Sequence, residues 1–316
     1  MADSGTEGKF AIGIDIGATK VLGGVVNVDT GTVLHSEEIA AQPQRDPVAV
    51  LDDVVGLAAR IRAAAENDSL NVLALGVGIA EIVDPSGNIT TRDTFDWLDL
   101  PVVARFAEIA SPVFVESDVR AAACAEARFG AGRDFGSFAY VTIGSGISSC
   151  LMIDGKPHVG HTGCAIVLSS ATTQEYCPVC GDAHDFCLEK YASGLGLTRR
   201  YAEATSRTIN RAEDVFDAAA ADDDEAIHII ESAAHVLGKN IAQLTNLFDP
   251  AAIILGGGLG LAAGLYRDTL IASIRRQIWH EPVRDLPIVP AGLGKAAGLI
   301  GAALRGAEGQ GLDGAD

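Results

Sequence analysis

Apolar residues run along this chain in stretches whose period changes. Residues 10–14 form a short apolar run that ends in Asp15, and a second run, 21–28, follows a Gly17–Ala18–Thr19–Lys20 tip. Two such runs across a tight polar tip predict a β-hairpin, and Gly17 lets backbone approach a ligand closely. Residues 47–66 carry apolar positions near helical spacing and predict an amphipathic helix. Residues 72–79 read as a buried strand, 101–110 as a helix, 113–115 as a short strand and 117–129 as an Ala-rich helix.

The pattern then restarts. Strands are predicted at 138–143 and 147–153 around a Thr142–Ile143–Gly144–Ser145–Gly146 tip, followed by a loop-rich stretch to about residue 187. Helices are predicted at 187–205, 210–219 and 223–247. The last of these lines up Ile227, Ile230, Ala234, Leu237, Ile241 and Leu244 on one face. A strand at 251–255 runs into Gly256–Gly257–Gly258, then come a helix at 261–277, a strand at 287–289 and a helix at 293–305. Two strand-led halves, each with a glycine turn, imply an internally duplicated α/β fold: two lobes of mixed sheet flanked by helices, with a cleft between.

Composition narrows the function classes. A chain of 316 residues with 48% hydrophobic content supports one large or two medium domains. It has no charge-free apolar run long enough for a membrane span and no secretory leader, so a cytoplasmic protein is expected. A net charge of −19 disfavours nucleic-acid binding. Cys124, Cys150 and Cys164 sit among small or apolar residues and are expected to be buried, whereas Cys177, Cys180 and Cys187 form a cluster.

Three glycine-rich turns stand at predicted strand ends, at 15–20, 142–146 and 255–258. Backbone N–H groups at such turns make anion sites. An Asp at a strand end beside one of them suits a phosphate-bound Mg²⁺. The order DIGATK, VESDVRAAACAE, TIGSG, CPVCGDAHDFCLEKYASG, IILGGG resembles the ROK family of the actin-like, ribonuclease H-like ATPases, over residues 10 to about 305. The family's repressor members carry an N-terminal DNA-binding segment. This chain starts directly at the kinase-like core and resembles the sugar-kinase branch.

The resemblance implies an ATP-dependent kinase acting on the 6-hydroxyl of a hexose. It implies Mg²⁺ held through water by Asp15, and β/γ-phosphates faced by Gly17, Ala18, Thr19 and Lys20. A second phosphate turn would use Thr142, Gly144 and Gly146, and Gly256, Gly257 and Gly258 would sit at the adenosine. Asp118 matches the catalytic base, although by position alone it also reads as a helix N-cap. Glu189 matches a residue on the anomeric side of the sugar. A homodimer is the implied assembly. The implied boundaries are 1–118 for the first lobe, with 299–316 packing back on it, and 119–298 for the second, with a Cys-rich loop at 158–190.

The sugar side departs from the family pattern. Ser117 precedes Asp118 where Asn is usual, Asp93 replaces an Asn ahead of Trp97, and Ala80–Glu81 replaces Pro–Gly. The family's Glu-x-Gly-His motif is lost, with Val167 and Ser170 at its Glu and His positions when the chain is anchored on Gly160, Gly163 and Ala165. Glu81 and Asp93 add acceptors, which suits an ammonium group and hence an amino-hexose such as kanosamine or glucosamine. Both could instead point to solvent. Cys177, Cys180 and Cys187 suggest structural zinc with His184 or His161 as fourth ligand, the other reading being three free thiols. The competing function is a catalytically degenerate ROK protein that binds sugar or nucleotide as a sensor or partner subunit.

Overall fold

The computed structural model describes residues 8–176 and 183–309. The chain divides into two compact units. The first holds the described residues up to Asp134, together with Met152–Ala165 and the stretch from Gly292 onward. The second holds Phe135–Leu151 and Ile166–Ala291. The division falls after 134, so the helix expected to open the second lobe at residue 119 belongs to the first unit.

The first unit runs β1 (Phe10–Ile16), β2 (Lys20–Asn27), β3 (Val33–Ala40), α1 (Pro47–Asn67), β4 (Val72–Ile79), α2 (Val102–Ala107), β5 (Val113–Ser117) and α3 (Asp118–Phe129). Its sheet order is β3-β2-β1-β4-β5. The β1–β2 and β2–β3 pairs are antiparallel, and β1–β4 and β4–β5 are parallel. Helix α1 starts where Asp46 accepts the Ala49 N–H at 3.0 Å, with Pro47 in its first turn.

The second sheet begins with β6 (Ser137–Ile143) and β7 (Ile147–Ile153); the last two residues of β7 pair with β8 (Lys156–Pro157) and are counted with it in the first unit. The second unit continues through β9 (Thr172–Tyr176), β10 (Ala183–Cys187), α4 (Leu188–Ala192), α5 (Gly194–Thr205), α6 (Ala212–Ala220) and α7 (Asp224–Phe248). It ends with β11 (Ile253–Gly256), α8 (Gly257–Leu261), α9 (Leu265–Gln277) and β12 (Ile288–Pro290). The sheet order β8-β7-β6-β11-β12 repeats that of the first sheet element for element, as the restarting pattern predicts. Its core packs β6 and β11 against α7 and α9. The 187–205 helix is two helices. Ser193 Oγ caps α5 by accepting the Gly196 N–H at 3.2 Å. The expected loop before residue 187 contains the β9–β10 hairpin.

Strand alternation explains how the first unit positions its carboxylates. Phe10, Ile12, Ile14 and Ile16 face one core with α1, while Ala11 faces the other, built around α10 (Ala297–Glu308). The α10 side carries small residues, and a Cβ at Gly76 would overlap the Ala302 carbonyl. Helix α10 therefore lies directly on the sheet, and Asp15, next on that face, reaches its first turn at Gly298. No helix among the described residues is long and apolar enough to cross a membrane.

Candidate active site

The first unit gathers carboxylates at the carboxyl ends of β1, β4 and β5. Asp15 closes β1, and Asp118 opens α3 directly after β5. The Cβ position of Gly78 lies 3.7 Å from Asp15 Oδ1 and 3.6 Å from Asp118 Cα, so only a glycine separates them. Burial first, and the negative charge of Asp118 second, push the Asp15 carboxyl up to about 7. Asp118 Oδ1 accepts the N–H of Val119 at 2.6 Å. Burial pushes Asp118 up to about 6; the Val119 N–H and the Arg120 charge oppose this, and the charge of Glu81 adds to it. Ser117, at the N-cap of α3, makes no side-chain cap bond and is 9% exposed.

Arg120 is a residue the sequence reading passed over. It is 6% exposed, and its guanidinium donates to Glu116 Oε1 at 2.6 Å, Gly163 O at 2.9 Å and Val83 O at 2.5 Å. It thereby ties the segments after β4 and β8 to the start of α3. The legible signal was an opposite-charge pair, Glu116 and Arg120, four residues apart across the β5–α3 junction.

Two candidate substrate acceptors have different situations. Glu81 is 6% exposed and turned inward. It accepts from the Thr91 hydroxyl and from the N–H groups of Asp93 at 3.0 Å, Thr94 at 2.6 Å and Phe95 at 2.7 Å. Both of its oxygens are occupied by protein donors, which answers neither the substrate nor the solvent reading. Asp93 is exposed, and its carboxylate has no ion pair or hydrogen bond among the described residues.

The hairpin tip Gly17–Ala18–Thr19–Lys20 closes through Gly17 N–H to Lys20 O at 3.0 Å. Ala18 and Thr19 are exposed, and Lys20 pairs with Glu38 at 2.6 Å on the surface.

The second unit builds its part from backbone. Thr142 pairs with Gly256 where β6 and β11 run parallel, placing the two glycine turns side by side. Gly144 N–H donates to Gly146 O at 2.9 Å, and Gly194 N–H donates to Gly144 O at 2.8 Å, seating the 142–146 turn on the start of α5. Gly257 has φ +76°, and a Cβ there would overlap Ile143 O. Gly144 and Gly258 face open space. Glu189 lies beside Gly146, and its Oε2 accepts the Ile147 N–H at 2.8 Å. Ser170 is exposed and Val167 half-buried.

For the metal cluster, Cys177 and Cys180 lie outside the described residues. Cys187 ends β10, and its Sγ donates to Ser169 O at 3.3 Å. His184 stands three positions earlier on the same strand, so the two side chains leave opposite faces. His161 belongs to the first unit. Among the described residues no group of three or more His, Cys, Asp or Glu could hold a metal ion. Cys124 and Cys150 are buried as expected, but Cys164 is exposed, directly after the buried, positive-φ Gly163.

Paired sheets of one topology, a strand-end Asp, a helix-opening Asp and two adjacent glycine turns define the class as the actin-like α/β ATPase fold. The sequence model of the ROK family matches residues 11–305, and the chain belongs to that family. It is similar to a glucokinase of Streptomyces coelicolor, 31% identical over 93% of this chain and 96% of that protein. It is 27% identical to an N-acetylmannosamine kinase of Shigella boydii over 93% and 97% of the two chains. Among solved structures, a ROK glucokinase from Streptomyces griseus in complex with glucose and AMPPNP matches with TM-score 0.78 and 30% identity, covering 95% and 99% of the two chains.

Proposed function

We propose that this protein is an ATP-dependent kinase that phosphorylates the 6-hydroxyl of a hexose. The observation that carries this reading is Asp118: a carboxylate at the start of α3, beside Asp15 across Gly78, that burial pushes up to about 6. In the proposed step the 6-hydroxyl proton passes to Asp118 as the sugar oxygen bonds to the γ-phosphorus. The bond from that phosphorus to the β,γ-bridging oxygen breaks, and ADP leaves. Most of the acceleration in such a transfer comes from positioning and charge neutralisation. The S. griseus relative, with its bound glucose and AMPPNP, supports both ligand classes.

Asp15 accepts no hydrogen bond from any described side chain or N–H, and as a hard oxygen donor held beside a second carboxylate it fits a cation. It would hold Mg²⁺ through water, and the ion when bound supplies neutralisation of the nucleotide phosphates.

The charge distribution favours an amino-hexose as acceptor, kanosamine or glucosamine among them. Asp15, Glu81 and Asp118 place negative charge together, and Arg120, the nearby cation, spends its guanidinium on Glu116 and two carbonyls. Asp93 is the free carboxylate left to meet an ammonium group. ADP release over a panel of hexoses and amino-hexoses, with and without Mg²⁺, tests both levels. Turnover with no sugar of the panel sinks the kinase reading, and glucose turned over as well as every amino-hexose sinks the finer one. A sugar- or nucleotide-binding sensor is the weaker reading, because the first unit keeps Asp15 and Asp118 and the second keeps its glycine turns.

A further inference from the structure

We propose that Glu81 is a positioning residue for the sugar acceptor: its buried carboxylate fixes residues 91–95 and thereby sets where Asp93 meets the substrate. The substrate part of this rests on the hexose-kinase reading above.

Glu81 leaves the end of β4, where Ala80 N–H donates to Ile16 O at 2.9 Å. Among the described residues no cation pairs with it. A buried carboxylate without a counter-ion is costly unless donors surround it. Here the donors come from one short segment. The N–H groups of three consecutive residues, Asp93, Thr94 and Phe95, converge on it, and the Thr91 hydroxyl completes the set. The same segment is stitched a second time, because Ile82 N–H donates to Thr91 Oγ1 at 3.0 Å and Thr90 N–H donates to Ile82 O at 2.8 Å. Phe95 and Trp97, each 1% exposed, bury its far end. Asp93 stands in the middle of this fixed stretch with its own carboxylate exposed and free.

The backbone of 93–95 is thus wrapped around a side chain twelve to fourteen residues upstream. A neutral amide at Glu81 would turn an N–H₂ toward two of those donors and release that half of the loop. A glycine, as the family pattern has here, would offer no acceptor at all.

The test uses Glu81→Gln and the milder Thr91→Val, which removes one donor and leaves the carboxylate in place. In Glu81→Gln the sugar KM should rise about tenfold or more, the size expected for stranded buried donors, with the ATP KM nearly unchanged. Thr91→Val should move the sugar KM the same way by about threefold. Hydrogen exchange, read on the same proteins without substrate, should accelerate at the amides of Asp93, Thr94 and Phe95 and not in α1 or β4. Amides 93–95 that stay as slow as in the parent protein overturn the proposal. So does a fall in kcat with the sugar KM unchanged, which would mark a merely structural residue. A parent protein without turnover would remove the kinase reading alone, and the exchange measurement would still decide whether Glu81 anchors the loop.

Discussion

The two units carry the same strand order but build their functional ends from different materials. In the first, the groups proposed to work are side chains, Asp15, Asp93 and Asp118, with Glu81 and Arg120 holding segments around them. In the second, they are turns of backbone at 142–146 and 256–258, seated by hydrogen bonds to α5 and by parallel pairing of β6 with β11. A side-chain site can be retuned one substitution at a time, and Glu81, Asp93 and Ser117 are the positions where the resemblance implies a departure from the family pattern. A backbone site is constrained only where a Cβ has no room, as at Gly257 against Ile143 O, while Gly144 and Gly258 face open space. On the proposed reading, duplicated folding would supply one half suited to a common ligand and another free to follow a changing one.

The largest effect should come from the side-chain half. Asp118→Asn keeps an oxygen to accept the Val119 N–H and removes the proton acceptor. Turnover should fall by about a thousandfold, within the range for loss of a general base. Affinity for a non-hydrolysable ATP analogue, measured by calorimetry, should stay nearly as it was. Near-normal turnover in this variant would show that Asp118 is only the first residue of α3.

Glycine substitutions probe the other half and separate fold from ligand. Gly257→Ala forces a left-handed residue and a Cβ into Ile143 O, so it should cost about 2–4 kcal/mol of stability. Gly144→Ala and Gly258→Ala meet nothing within 4 Å, and neither has a positive φ. Their melting temperatures should match the parent, while the ATP KM rises about tenfold if phosphate or adenosine fills that space. An unchanged ATP KM in both would mean that the turns face solvent and the nucleotide lies elsewhere, which would dissolve the contrast between the halves.

The sequence was most legible where one physical signal dominates. The β1–β2 hairpin and β4 follow from apolar runs, and the glycine turns from the absence of side chains. Long α7 follows from its apolar face. It was least legible where hydrogen bonds join distant positions. Glu81 reads as an added substrate acceptor until its partners at 91–95 are seen. The break at Ser193 depends on a local cap inside an otherwise helical stretch, and β9–β10 are short polar strands with no apolar run to announce them. Cys164 reads as core from its small neighbours, but it is exposed, directly after the positive-φ Gly163.

The smallest expected effect concerns zinc, and it tests whether the second unit also holds a side-chain site. Side chains alternate along a strand with a rise of about 3.3 Å per residue, so His184 and Cys187 diverge by about 10 Å and point apart. They cannot serve one tetrahedral ion while β10 is intact, so His184 as fourth ligand conflicts with this strand. Cys187 now donates its S–H to Ser169 O, a bond it would give up as a zinc-bound thiolate. Elemental analysis of protein purified without chelator should find about one zinc per chain, the stoichiometry of a closed structural site. That content should persist in His184→Ala and vanish in Cys187→Ser. Zinc far below one per chain in the parent would leave the cysteines as free thiols. Zinc lost with His184 would mean that the β9–β10 hairpin rearranges around the metal, and the second unit would then join the first in depending on side chains for its shape.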